Sequence, residues 1–131
     1  MNVHDALTKM PQSIRELENN VWSHKVDTEA LRLRAKVIEA DIEAWAAGFD
    51  EAGKKRFANE ALRGPAIRER LREHEEHTRI LDVVKEREVM QQKMESTLAY
   101  YHNVQRNARA IAFNLSAAKG LLDLDFADGG P

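Results

Sequence analysis

Between residues 53 and 72 the chain gathers side chains that grip phosphate. Lys54, Lys55, Arg56, Arg63, Arg68, Arg70 and Arg72 stand against only Glu60 and Glu69, a net charge of about +5. Phe57 lies among them. Cations neutralise phosphates and release their counterions, and an aromatic face stacks on bases, so the combination suits single-stranded nucleic acid. The same arginines can instead pair with Glu69, Glu73 and Glu76 on a solvated helix, or meet an acidic protein. A second set, His102, Arg106, Arg109 and Phe113, falls at i, i+4, i+7 and i+11, one stripe on a helix. Asn103, Asn107 and Asn114 enrich that region in amides, and the stripe suits either a nucleic-acid strand or a polar subunit interface. The candidate nucleic-acid contacts are therefore Lys54, Lys55, Arg56, Phe57, Arg63, Arg68, Arg72, His102, Arg106 and Arg109.

Other chemistries find little support. His74 and His77 are three residues apart with Glu75 and Glu76 between them, spacing that can start a metal site, but no further ligand is visible and the zinc-protease pattern needs histidines four apart. A solvated or seam-edge histidine pair is expected, with no metal and no cofactor. No nucleophile elbow, phosphate-cradling loop or dinucleotide fingerprint occurs, and the abundant carboxylates sit beside Arg or Lys on charged helical faces, so a non-catalytic protein is expected. The chain has no cysteine, which removes disulfides and thiolate chemistry. No apolar signal segment or membrane-length run occurs, and a cytoplasmic location without membrane contact is expected; the sequon at Asn114-Leu115-Ser116 is read as chance.

Long helices must position these groups. Charged residues make up 32% of the 131, with only six Gly and three Pro, the composition of an all-α chain. Stepping alternately by three and four from Ile14 reaches Leu17, Val21, His24, Thr28, Leu31, Ala35, Ile38, Ile42, Trp45 and Phe49, a heptad seam in which His24 can fix register. This predicts a helix over about 12–48, with Pro11 in its first turn and Gly48, Asp50 and Gly53 as its stop. A basic turn follows at 50–64, where Asn59 can cap a short helix through Arg63, and Pro65 either begins the second long helix or kinks a helix already begun at Asn59. A second helix is expected over about 65–119, ending at Gly120. Its later seam reads Val83, Arg87, Met90, Met94, Thr97, Tyr101, Val104, Ala108, Ile111, Leu115, Ala118 and Leu122, while Ile67, Leu71, His74, Leu81 and Val84 are offset by about one residue, which implies a stutter. The expected fold is an antiparallel coiled-coil hairpin of two long helices. Because the second helix is the longer, its excess apolar stripe predicts a homo-oligomer. The last segment, 121–131, carries Asp123, Asp125 and Asp128 with no base, and reads as a flexible acidic tail able to dock on a basic groove or to fray.

Asp50-Glu-Ala-Gly-Lys-Lys-Arg-Phe-Ala-Asn59, Arg63 and Ile67-Arg-Glu-Arg-Leu71, followed by a long helix reaching Phe113, form a layout that resembles small helical-hairpin accessory proteins of phage recombination modules, including the recombination-mediator type. The resemblance implies single-stranded DNA binding, ring-like oligomers and contact with another recombination protein, for which the acidic tail is the candidate segment. A protein-directed coiled-coil scaffold or adaptor that binds no nucleic acid is the alternative.

Overall fold

The structure, a computed structural model, describes the backbone of residues 2–128 and the side chains of residues 2–120. The side chains of the expected acidic tail at 121–131 thus lie outside the described residues. Four helices occur among the described residues, where two were expected: α1 (Val3–Thr8), α2 (Met10–Ala47), α3 (Glu60–Glu73) and α4 (Glu75–Asp128). The all-α expectation holds, with a single isolated bridge, Phe49 to Lys55, as the nearest approach to a strand among those residues. No helix among them is long and apolar enough to cross a membrane.

The differences from the expected pair of helices have local causes. Helix α1 is six residues long, too short to show a period, and is started by Asn2, whose side chain accepts a hydrogen bond from the Asp5 N–H at 2.8 Å. Of the two positions open to Pro65, the structure has the second: it does not open a helix but lies inside α3, which begins after Asn59, the Asn59 side chain accepting from Leu62 N at 3.1 Å. The preceding residue is Gly64, so the proline ring meets no Cβ there and the helix absorbs the lost donor. The break falls instead at His74, where the backbone is extended at φ −81° and ψ 103°. The His74 ring Nδ1 accepts from His77 N at 3.1 Å, so an imidazole caps α4 as an asparagine usually does. Helix α4 also continues through Gly120, where an end was expected. One glycine costs a helix about 1 kcal/mol relative to alanine, too little to stop it without a following break.

The chain divides into two compact units, Met1–Trp22 with Gln92–Pro131, and Ser23–Gln91. In the second unit α2 and α4 run antiparallel, since Glu39 faces His77, Arg34 faces Glu76 and His24 faces Arg87. Its core is Ala35, Ile38, Ile42, Ile80 and Val84, with Leu31, Ile67 and Leu71 packed against it. Beside this core His24 Nε2 donates to the Arg87 carbonyl at 2.6 Å, Arg87 Nε donates to Thr28 Oγ1 at 3.0 Å, and Thr28 Oγ1 donates to the His24 carbonyl at 2.7 Å. His24, the residue expected to fix register, is therefore hydrogen-bonded across the seam, and Thr28 with it. In the first unit Ala6, Met10, Ile14, Val21 and Ala108 are buried.

The α2 seam holds from Ile14 to Trp45, every position being buried or half-buried, and fails only at the exposed Phe49. The α4 seam needs correction. It steps through Ile80, Val84, Arg87, Gln91, Met94, Leu98, Tyr101, Gln105, Ala108 and Ala112, while Met90, Thr97 and Ile111 are exposed. Two glutamines in the buried row, Gln91 and Gln105, disguise this frame and make the adjacent apolar row look like the seam.

Candidate nucleic-acid interface

The cationic segment occupies the connection from α2 to α3 and then α3 itself, all within the Ser23–Gln91 unit. Asp50 organises the connection: its Oδ1 accepts from the backbone N–H groups of Ala52 and Lys54, both at 2.9 Å, while its own N–H donates to the Lys54 carbonyl at 2.6 Å. Gly53 turns the chain at φ +79°, where a side chain would be strained. Arg56 is anchored at both ends, its backbone N–H on the Gly48 carbonyl at 3.1 Å and its Nε on the Phe49 carbonyl at 3.0 Å.

These contacts gather around Trp45, in the last turn of α2. Phe57 meets the indole edge-to-face with ring centres 5.6 Å apart, and the guanidinium carbons of Arg56 and Arg70 lie 5.3 and 3.8 Å from the indole centre. Arginine over an indole face is held by the ring quadrupole without losing its charge. Spacing alone marks Trp45 only as a seam residue and Arg70 only as one charge in a run, because their meeting joins two helices and no local spacing signals it. Phe57, half-buried, has one edge of its environment taken by Trp45.

The remaining cations differ in surroundings. Lys54, Lys55 and Arg68 are exposed and form no ion pair among the described residues. Arg72 Nη1 pairs with Glu69 at 2.9 Å, the bland alternative realised for that residue. Arg68 and Arg72 nevertheless line, with Lys85, Asp82, Leu71 and Leu81, a cleft of about 270 Å³. Arg63 is half-buried on a separate cleft beside Glu43 and Glu60, and its Nε has no hydrogen-bond partner among the described residues.

The second stripe belongs to the other unit. His102 Nε2 lies 3.4 Å from Glu18 Oε1 on α2, whereas Arg106 and Arg109 are exposed without an ion pair among the described residues. The His74 and His77 pair is split between roles, His74 as cap and His77 buried with Nε2 3.8 Å from Glu39 Oε2. No group of three or more potential metal ligands converges among the described residues. Elsewhere in the Ser23–Gln91 unit, the Arg34 guanidinium donates to both carboxylate oxygens of Glu76 at 2.8 and 3.1 Å, which holds that carboxyl below the usual carboxylate range. Comparison with protein-family models, curated proteins and solved structures gives no match.

Proposed function

We propose that the protein is a non-catalytic, self-associating accessory protein that binds single-stranded DNA through the cationic connection between α2 and α3. The observation that carries this reading is that Lys54, Lys55 and Arg68 are exposed and form no ion pair among the described residues, in the same cationic segment whose Arg56 and Arg70 lie over Trp45. Unpaired surface cations on a backbone-anchored turn can exchange solution counterions for phosphates at little conformational cost. Arg106 and Arg109 form a second, separate phosphate-binding stripe. In this reading the protein works in the cytoplasm beside a recombination protein, which the acidic segment at 121–131 contacts.

Affinity for a strand of about 40 nucleotides should fall steeply with salt, and changing Lys54, Lys55 and Arg56 together to alanine should lower the slope of log affinity against log salt by up to about three ion equivalents. A titration followed by fluorescence anisotropy checks this. No binding at low salt overturns the reading and favours a protein-directed scaffold, which the exposed apolar residues Val26, Leu33 and Val37 on α2 support.

A further inference from the structure

Helix α2 carries two heptad seams, and only one is covered. The inner seam, Thr28, Leu31, Ala35, Ile38 and Ile42, is buried or half-buried. On the opposite face Val26, Ala30, Leu33, Val37, Ala40 and Ala44 follow one another by steps of four and three, all apolar and all exposed. Val26, Leu33 and Val37 are 47, 54 and 49% exposed. A lone solvent-facing valine or leucine is ordinary, whereas an unbroken apolar row of heptad spacing is the pattern of a helix seated on another helix. The alanines permit close approach of the two axes.

The charges beside this row identify what it fits. We propose that the outer face of α2 pairs with the same face of a second copy of this chain, parallel and in register. One flank carries Asp27, Arg34 and Asp41, the other Glu29, Lys36 and Glu43. In a parallel pair each residue of the second flank faces, on the other copy, the first-flank residue five positions later. Glu29 then meets Arg34 and Lys36 meets Asp41, each pair formed twice by the twofold symmetry, and no like charges face each other. An antiparallel pair that overlaps the same row in full sets Lys36 against Lys36, Arg34 against Arg34, Asp27 against Asp41 and Glu29 against Glu43. Complete overlap with matched charge therefore selects the parallel arrangement. Lys36 forms no ion pair among the described residues, and Arg34 keeps Nη1 available while Nε and Nη2 hold Glu76.

This inference deepens the self-association in the proposed function and is independent of nucleic-acid binding. Sedimentation equilibrium of the full chain without DNA tests it. The wild-type protein is expected to dimerise at about 50 µM, and the double variant Leu33→Glu, Val37→Glu to dissociate at least tenfold more readily, with helical circular dichroism unchanged because both positions are exposed in the single chain. Lys36→Glu alone is expected to weaken the dimer about three- to tenfold, and adding Asp41→Lys to restore it. A monomeric wild type overturns both the pairing and the self-association. An oligomer indifferent to Leu33→Glu, Val37→Glu overturns the α2 face alone. Failure of the Asp41→Lys rescue, with Leu33→Glu, Val37→Glu still dissociating, overturns the parallel register. The salt titration of DNA binding is read separately, so its failure is not confused with any of these.

Discussion

Thr28 is fully buried, yet its hydroxyl is occupied twice, donating to the His24 carbonyl and accepting from Arg87 Nε. Thr28→Val preserves shape and removes both bonds, leaving a half-buried guanidinium nitrogen unmatched. A loss of about 1–3 kcal/mol is expected, seen as a lower urea midpoint with an unchanged slope. Glu76 gives a pH dependence of definite sign. Its folded pKa is depressed by the hydrogen bond from Arg34, so its contribution is present above the carboxyl's unfolded value and is lost as pH falls through the lower folded value. Stability should therefore decline on acidification more gently in Glu76→Gln than in the wild type, a comparison made by urea melts from neutral pH downward. At this scale the cations were readable from the sequence because charge is a property of single residues. The cluster of Trp45, Phe57, Arg56 and Arg70 was not, since it exists only where α2, the connection and α3 meet.

At the scale of elements, the joint between α3 and α4 depends on one imidazole. His74→Ala should cost about 1 kcal/mol through the lost cap, and His74→Asn, whose side chain can accept from the same N–H, should recover most of it in thermal melts. The α2 seam was legible because apolar residues mark its buried row almost throughout. The α4 frame was not, because Gln91 and Gln105 occupy that row while the exposed Met90 and Ile111 imitate it. The expected one-residue stutter between the two halves of the second helix does not appear, since the buried and half-buried row runs by unbroken steps of four and three from Ile80 through Val84 and Arg87 to Ala112. The break at His74 was not legible, because Gly64-Pro65 resembles a boundary more than His74 does, and histidine is an uncommon cap.

At the scale of the whole molecule, a net charge of −2 divides into cationic stretches and an acidic end at 121–131. If that end competes with DNA for the cations, a chain truncated after Gly120 should bind a single strand more tightly at low salt, and the gain should disappear as salt screens both attractions. Equal binding by both chains in parallel titrations counts against this competition. Residues 48–59, the longest stretch outside helices among the described residues, hold an exposed Lys54, Lys55 and Arg56 in succession. Trypsin therefore has its readiest cleavage point inside the proposed binding surface. A nick there leaves the α2 and α4 seam of the Ser23–Gln91 unit intact, so the two fragments should elute together under native conditions and separate only in denaturant. Bound oligonucleotide should slow the cut, which turns a protease time course into a footprint of the interface.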